Sequence, residues 1–424
     1  MNAHPANIAA ATDAVTPAKS TAPMVVIGAG LAGWTTVREL RKLDKLTPVI
    51  VVTADSGDFY AKPGLSNALA QKRTPAQLVS TSAAKMAETL DVTLLDHSRV
   101  EQLDVAARRL TVRSGEASQT LAYSALVLAT GAQPIRSAIA GNAAAQVLSV
   151  NALSDFAALF DRLQEGDATA PKTVLVIGAG LIGCEFANDL LQAGHRVHVV
   201  DPSPRPLAAL LPESAGLQLQ QALQDLGAHW HFGTTVQAVD ADAVTSGQLQ
   251  VTLADGTQWV VDAVLSAIGL RADTALATAA GLLCERGIVV DRFLQTSADH
   301  VYALGDCAQY ASAGQRTLPY VMPIMHAAKA LAATLSGSKT ALEFPLMPVS
   351  IKTPALPIVV AAAHPALAGQ WVADAQETQG VWRFLDTQGA QRGFVLTGQS
   401  TARRMELSKT TQLQDSENPV GTRS

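Results

Sequence analysis

Two short runs of apolar, mainly β-branched residues stand out along the chain, and each leads into a glycine-rich turn and an amphipathic segment. The runs are Met24–Ile27 and Thr173–Ile177. Such a run is typical of a buried strand, and the pattern that follows it is typical of a helix. We predict helices over 31–42 and 181–192. The turns, both of the form G-x-G-x-x-G, are Gly28, Ala29, Gly30, Leu31, Ala32 and Gly33, and Gly178, Ala179, Gly180, Leu181, Ile182 and Gly183.

The three glycines of such a turn have different tasks. The first permits the tight turn, the second lets a pyrophosphate approach the backbone, and the third lets the helix pack closely on the strand. One such motif can occur without a ligand, but two in the same strand–helix context indicate two nucleotides on one chain. Electron transfer between a flavin and a nicotinamide cofactor is the simplest chemistry for that pair.

An acidic residue is expected about 20 residues beyond each turn, where it would bind the ribose hydroxyls. Asp55 follows the apolar segment 47–53, and Asp201 ends the alternating segment 195–200. A carboxylate at Asp201 favours NADH, because it would repel the 2′-phosphate of NADPH. A turn residue beside Pro202 is the alternative interpretation of Asp201.

The remaining pattern predicts an α/β fold with three domains. Two Rossmann-like nucleotide-binding domains are expected, and a C-terminal α+β domain follows. The segments 125–134, 263–269 and 301–306 resemble the elements through which two-nucleotide flavoproteins leave and re-enter the FAD domain. This resemblance implies that the NAD domain is inserted in a discontinuous FAD domain. Further strands are predicted at 92–95, 99–104, 110–113, 125–129, 263–269, 301–304, 349–352 and 358–360. The predicted ranges are a flexible leader (1–22), the FAD domain (23–135 and 264–337), the NAD domain (136–263), the C-terminal domain (338–411) and a flexible tail (412–424).

Composition argues against several classes of function. Charged residues make up 16% and hydrophobic residues 48% of the chain, and the net charge is −5, so no basic field attracts nucleic acid. No apolar run approaches the roughly 18 residues that span a bilayer. The first 22 residues lack the basic start and apolar core of a signal peptide. We expect a cytoplasmic monomer or weak dimer without a membrane span.

The cysteines, Cys184, Cys284 and Cys307, are isolated in the sequence. Disulfide reductases that bind two nucleotides take electrons from flavin through a close thiol pair, and that pair is missing here. An iron–sulfur cluster or structural zinc needs about four clustered ligands, so no metal site is predicted. We expect electrons to leave the flavin directly and the cysteines to be small buried hydrophobic residues.

Several further segments carry a family resemblance. They are Ala129-Thr130-Gly131-Ala132-Gln133-Pro134, Gly305-Asp306 and the segments 60–67, 183–190, 319–323 and 352–354. With the two turns, they make the chain resemble the bacterial rubredoxin–NAD reductases, among the ferredoxin-reductase-like pyridine nucleotide flavoproteins. The resemblance implies electron transfer from NADH through FAD to rubredoxin, often for an alkane hydroxylase. A reductase of a [2Fe–2S] ferredoxin is the alternative, and an NADH-sensing flavoprotein scaffold is a third interpretation without a supporting feature.

The resemblance also implies the site residues. In the family, a Lys or Arg beside a Pro-x-Leu-Ser segment, here residues 63–66, reaches the flavin and pairs with the Glu after the second glycine turn. In this sequence the two residues are Lys62 and Glu185. The ammonium would stabilise negative charge on the reduced flavin. A surface lysine and a helix first-turn glutamate are the alternatives. Lys352 is a further candidate for flavin contact, with a solvated strand lysine as its alternative. The implied cofactor-binding residues are Gly28, Ala29, Gly30, Leu31, Ala32, Gly33, Thr53, Ala54, Asp55, Lys62, Val100, Ala129, Thr130, Gly131, Gly178, Gly180, Leu181, Ile182, Gly183, Glu185, Asp201, Gly269, Gly305, Asp306, Val321 and Lys352.

A basic rim near the flavin would speed encounter with rubredoxins, which are acidic as a family. Two clusters of basic residues are candidates for this rim: Arg38, Arg41, Lys42 and Lys45, and Arg403 and Arg404. Cations near a helix C-terminus are stabilising in any case, so structural roles are favoured for both clusters. His326 is assigned no role.

Overall fold

The computed structural model describes residues 22–167, 169–245, 247–374 and 380–412. The predicted leader and tail therefore lie outside the described residues, except for Ala22 and Gln412. The described part of the chain forms two domains with parallel sheets and a C-terminal domain with an antiparallel sheet.

Five strands form the first parallel sheet. Its centre, Met24–Ile27, is buried at every position, because helices and further strands cover both faces. The last strand in sequence, Val301–Ala303, pairs with Ala125–Leu128, which confirms that the first domain is discontinuous. The strands in spatial order are Val301–Ala303, Ala125–Leu128, Met24–Ile27, Val49–Val52 and Thr93–Leu95.

The first domain carries smaller sheets and several helices around this centre. Helix Leu31–Leu43 packs against helix Val321–Leu335. The other helices are Pro75–Leu78, Ala83–Leu90 and Ala275–Ala279, with 3₁₀ turns at Lys62–Asn67 and Ala311–Ala313. The smaller sheets pair Phe59–Tyr60 with Val79–Thr81, Ile288–Val290 with Ala308–Tyr310, and Ser98–Asp104 with Arg109–Ser114 and Ala117–Ala122.

The second parallel sheet repeats the arrangement around Thr173–Ile177. The strand Ala263–Ser266 pairs with it in parallel, so the predicted domain boundary between 263 and 264 is wrong, because it cuts through this strand. The order is Ala228–Phe232, Arg196–Asp201, Thr173–Ile177 and Ala263–Ser266. Its helices are Leu153–Gln164, Leu181–Gln192 and Glu213–Asp225, with a 3₁₀ turn at Ala144–Gln146 and an antiparallel sheet of Val236–Ala241, Leu249–Leu253 and Gln258–Val261.

The chain leaves and re-enters the first domain through two adjacent segments. Ala132–Pro134 and Leu270–Ala272 form an antiparallel pair, with Ala132 opposite Ala272. The boundary of the second domain therefore lies at this pair, a few residues after Ser266 on the return side.

The C-terminal domain is an antiparallel sheet with a short helix, Arg404–Thr410, after a 3₁₀ turn at Gly398–Arg403. The predicted α+β character is confirmed, although the sequence pattern indicated only the first two strands. The spatial order is Val349–Ile351, Ile358–Ala361, Gln391–Thr397, Val381–Asp386 and Gly369–Ala373.

One hydrophobic core joins all three domains. It includes Leu65 and Leu69 from the first domain, Phe186 from the second, and Ile358 and Trp382 from the third. Burial of shared apolar surface at roughly 25 cal/mol per Å² holds the domains against one another. In the described ranges, no helix is long and apolar enough to cross a membrane.

Candidate active site at the domain junction

The carboxyl ends of both parallel sheets open into one cleft of about 2950 Å³, which the C-terminal domain also lines. Ligands of open α/β sheets bind at such strand ends. The candidate cofactor-binding residues line this cleft, with the exception of Gly33, Gly183 and Gly305. The structure thus brings the two glycine turns, the two candidate ribose acids and the three candidate charged residues into one cavity.

The second and third glycines of each turn differ in the space that is available for a side chain. A Cβ on Gly33 would lie 1.8 Å from the carbonyl oxygen of Gly28, and one on Gly183 would lie 1.9 Å from that of Gly178. A Cβ on Gly30 or Gly180 would meet nothing within 4 Å. The third glycine of each turn therefore allows helix–strand packing, while the second faces open space that a pyrophosphate can approach.

Three polar side-chain atoms in the cleft wall are buried without a hydrogen-bond partner. They are Asn151 Oδ1, Thr234 Oγ1 and Ser312 Oγ. A buried unsatisfied polar atom costs about 1–3 kcal/mol, so these atoms are suited to the polar groups of a ligand. Together with the open glycines, they make the cleft a fit for FAD and a nicotinamide dinucleotide.

The two candidate ribose acids stand at strand ends and organise the adjacent backbone. Asp55 Oδ1 accepts hydrogen bonds from Thr53 Oγ1 at 2.6 Å and from Gly57 N at 3.0 Å. Asp201 Oδ2 accepts from Ala179 N at 2.6 Å, inside the second glycine turn, and its Oδ1 accepts from Ser203 N at 2.7 Å. Asp201 is thus both a cleft residue and a brace for that turn.

The predicted pairing of Lys62 with Glu185 is wrong. Lys62 Nζ lies 3.4 Å from Asp306 Oδ2, and the lysine side chain is 37% exposed. The physical reason is the 3₁₀ turn Lys62–Asn67, whose first residue faces the strand end at Asp306, whereas Ser66 near its other end faces Glu185.

Glu185 instead belongs to a polar cluster that the three domains build together. Its Oε2 accepts a hydrogen bond from Ser66 Oγ at 2.7 Å and contacts the ammonium of Lys352, and its Oε1 accepts from Lys352 N at 2.9 Å. Lys352 Nζ also donates to Ser66 Oγ at 2.7 Å. The Glu185 side chain is only 7% exposed and that of Lys352 30%, so Lys352 is not the solvated strand lysine of the alternative interpretation.

Sequence reasoning missed Ser66 and Tyr310, although both lie close to motifs that it used. Ser66 ends the Pro-Gly-Leu-Ser sequence that directly follows Lys62. Tyr310, four residues after Asp306, has its hydroxyl 2.7 Å from Gly305 N, which donates to it, and burial raises the pKa of Tyr310. A neutral Tyr310 therefore holds the Gly305 turn in place.

The three cysteines lie outside the lining of the cleft. All three lie in the described part of the chain, all are free, and none lines the cavity. Burial raises the pKa of the Cys184 and Cys307 thiols, which makes them poor nucleophiles. Cys284 is only half-buried, so the prediction of burial is wrong for this residue, which packs at the edge of the hydrophobic core of the first domain. No group of three or more metal-ligating side chains occurs in the described ranges.

The basic clusters are engaged in local structure. Arg41 donates to Leu90 O at 2.7 Å and to Thr47 O at 2.9 Å, and the Arg38 guanidinium lies 5.0 Å from the centre of the Phe59 ring. Arg403 pairs with Glu406 at 2.6 Å, and Arg404 donates to Pro348 O at 3.2 Å. These contacts agree with the structural roles expected for the four arginines, and Arg404 also lines the cleft. His326 is half-buried on helix Val321–Leu335 and does not line the cleft.

Comparison with known proteins agrees with this geometry. Residues 22–333 match the family model "Pyridine nucleotide-disulphide oxidoreductase", and residues 341–411 match "Rubredoxin binding C-terminal domain". The chain is 43% identical to a rubredoxin-NAD(+) reductase of Alcanivorax borkumensis, over 91% of this chain and 98% of that protein. It is 37% identical to a nitric oxide reductase FlRd-NAD(+) reductase of Aliivibrio fischeri, over 89% and 95%.

Among solved structures, the covalent putidaredoxin reductase–putidaredoxin complex shares the fold, with a TM-score of 0.81, 22% identity and coverage of 92% of this chain and 93% of that one. The family and its relatives imply FAD and NADH as cofactors. On the two family models and the identity over nearly the whole length of a relative, the chain belongs to the pyridine nucleotide-disulphide oxidoreductase family, in its rubredoxin–NAD(+) reductase branch.

Proposed function

We propose that this protein transfers electrons from NADH through FAD to rubredoxin. The observation that carries the proposal is that the domain matching the rubredoxin-binding model also supplies Lys352 to the cleft where the two dinucleotides fit. A partner bound to that domain would stand beside the cofactor site, which is what electron transfer between proteins requires.

The first glycine turn, the strand ends at Thr53–Asp55 and Ala129–Gly131, and Asp306 would hold FAD. The second turn and Asp201 would hold NADH, with Asp201 favouring NADH over NADPH. When bound, FAD allows a donor that gives up two electrons at once to be coupled to an acceptor that takes one electron. The protein's own task is to align the two dinucleotides and to adjust the charge around them.

Lys352 is the cation that we assign to this electrostatic task, in place of the Lys62–Glu185 pair. Its ammonium is held between Ser66 and Glu185, and in this partly buried setting it would stabilise negative charge on a neighbouring group more strongly than a solvated lysine could. Lys62 is assigned the lesser role of holding Asp306. Because no cysteine lines the cleft, no thiol takes part in this proposal.

A second candidate acceptor is FlRd, since a reductase named for it is 37% identical over nearly its whole length. It would use the same cofactor site, as would the [2Fe–2S] ferredoxin of the alternative interpretation. An alkane hydroxylase downstream, a cytoplasmic location and a monomeric or weakly dimeric state belong to the proposal as expectations from the resemblance.

A stopped-flow experiment tests the function directly. The purified, FAD-loaded protein is reduced with one equivalent of NADH without oxygen and is then mixed with oxidised rubredoxin. The proposal expects flavin reoxidation and rubredoxin bleaching at matched rates, with two rubredoxins reduced per NADH. Rapid reduction by NADH without transfer to rubredoxin would contradict the proposed partner but not the cofactor site.

A further inference from the structure

Two buried polar side chains on helix Leu181–Gln192 lie next to Glu185 but outside the cleft wall. Asn188 and Asp189 are each 1% exposed, and neither lines the cavity. Buried polar groups are costly unless they are hydrogen-bonded, and a buried carboxylate most of all. Burial raises the pKa of Asp189, and the backbone N–H groups around it oppose that shift.

Both side chains reach across to another domain. Asp189 accepts hydrogen bonds from Leu69 N at 3.0 Å and from Ala70 N at 2.9 Å, in the first domain. Asn188 Oδ1 accepts from Ala355 N at 3.1 Å, in the C-terminal domain.

Each of these contacts fixes the segment that carries one partner of Glu185. Leu69 follows Ser66 by three residues, and Ala355 follows Lys352 by three residues. Glu185 and Asp189 are four residues apart in one helix, so their side chains lie on the same side. A shift of the Leu69 segment would move Ser66, and a shift of the Ala355 segment would move Lys352.

We propose that Asp189 and Asn188 are positioning residues for the polar cluster at the flavin site. Asp189 acts through Ser66, and Asn188 acts through Lys352. The inference rests on the role proposed above for Lys352, Ser66 and Glu185. Helix Leu181–Gln192 thereby couples the placement of the nicotinamide-binding turn to the charge environment of the flavin.

Double-mutant cycles on the FAD-loaded protein test the proposal, because residues that act through one another show non-additive effects. The single variants are Asp189→Asn, Asn188→Ala, Ser66→Ala and Lys352→Met, and the pairs are D189N/S66A, N188A/K352M and the crossed pair D189N/K352M. Visible circular dichroism of the bound FAD, its midpoint potential, kcat and the KM for NADH are measured for each.

We expect D189N and N188A to lower kcat by about 3- to 10-fold, since small misplacements of oriented groups are costly. The flavin dichroism should change in both, and the KM for NADH should change less than about 2-fold. D189N should cause almost no further loss in S66A, nor N188A in K352M. The crossed pair should depart less from additivity, because its residues are linked only through the Lys352–Ser66 hydrogen bond and the Coulomb attraction between Lys352 and Asp189.

Controls come from residues with similar contacts away from the cleft. Asp44 accepts from Leu46 N at 2.8 Å and Thr47 N at 3.0 Å, and Asn142 Oδ1 accepts from Ala241 N at 2.8 Å. Asp44→Asn and Asn142→Ala should leave the flavin dichroism and kcat unchanged.

The outcomes distinguish the positioning roles of Asp189 and Asn188 from the proposed role of the polar cluster itself. Additive losses in D189N/S66A and N188A/K352M, or a lower melting temperature with unchanged dichroism and kcat, would overturn the positioning roles alone. Unchanged kcat and dichroism in the singles S66A and K352M would overturn both these roles and the proposed role of the cluster. If D189N does not fold with FAD, the N188A cycle decides, because N188A removes a neutral side chain and leaves the buried carboxylate of Asp189 in place.

Discussion

The ammonium group of Lys352 contacts the carboxylate of Glu185, although the lysine belongs to the C-terminal domain and the glutamate to the second nucleotide-binding domain. The domain that matches a partner-binding model therefore contributes to the proposed cofactor site. Binding of the electron acceptor and adjustment of the flavin environment are expected to depend on the same segment, around residues 349–355.

Replacement of Lys352 is expected to impair reduction of the flavin. Lys352→Met removes the cation beside Glu185 and leaves a buried carboxylate with fewer partners, so the rate of flavin reduction by NADH should fall roughly 10- to 100-fold. Stopped-flow absorbance of the bound flavin measures this rate.

Two other lysines serve as controls for that experiment. Lys62→Met breaks a longer, more exposed pair with Asp306, which is worth at most about 1 kcal/mol, so its effect should be smaller. Lys409→Met, at an exposed position, should have none. A greater loss in K62M than in K352M would restore the original assignment of Lys62.

The sequence predicted most of the architecture because the two glycine turns combine a buried run with a fixed spacing. Helix Leu181–Gln192 and the strand at Thr173–Ile177 appear with the predicted bounds. The partners of Lys62 and Glu185 could not be predicted from the sequence. Lys62 faces Asp306 because of the 3₁₀ turn that it begins, and Glu185 is reached by Lys352, which belongs to the C-terminal domain. Strands such as Val381–Asp386 were missed because polar and apolar residues do not alternate regularly along them.

The glycine turns predict a contrast between packing and ligand binding. Gly183→Ala would place a methyl group against the Gly178 carbonyl, so the protein should lose roughly 2 kcal/mol or more of stability, as over-packed sites do. Gly180→Ala meets open space and should fold normally, but with a KM for NADH raised at least about 10-fold, because its methyl group occupies the approach of a pyrophosphate. Melting curves and steady-state kinetics of both variants provide the check, and normal NADH binding in G180A would contradict the assigned pyrophosphate position.

Asp201 should set the preference for NADH. The wild type should use NADH strongly in preference to NADPH, and Asp201→Ala should reduce the preference by roughly 1–3 kcal/mol. Because Asp201 also braces Ala179 N, Asp201→Asn is the matched variant that retains one acceptor there. The ratio of kcat/KM for the two cofactors is the relevant quantity, and a wild-type ratio near one would contradict the assignment.

A histidine cluster on the second sheet should make the protein sensitive to acid. His198 Nδ1 lies 3.0 Å from His231 Nε2, and burial together with His231 and His229 lowers the pKa of His198 from its ordinary 6.5 to about 4. The neutral ring therefore stabilises the fold fully above about pH 6.5, and this stability is lost as the pH falls towards 4.

After allowance for partial exposure of the ring, we expect a loss of about 1–2 kcal/mol over that interval. His198→Gln, which cannot be protonated, should show a smaller decrease in melting temperature between about pH 7 and pH 5. His97→Asn, at an exposed histidine, should behave like the wild type. Equal acid sensitivity of H198Q and wild type would show that the instability arises elsewhere.

The proposed acceptor is tested most directly by steady-state kinetics with two electron carriers side by side. With saturating NADH, kcat/KM is measured for rubredoxin and for a [2Fe–2S] ferredoxin. Both are measured at the same physiological ionic strength, because salt screens the attraction between surface charges over about 8–10 Å at that concentration. We predict a kcat/KM for rubredoxin at least about 100-fold higher, equivalent to about 2.7 kcal/mol of transition-state stabilisation. Equal values, or a preference for the ferredoxin, would contradict the assignment of rubredoxin as the partner.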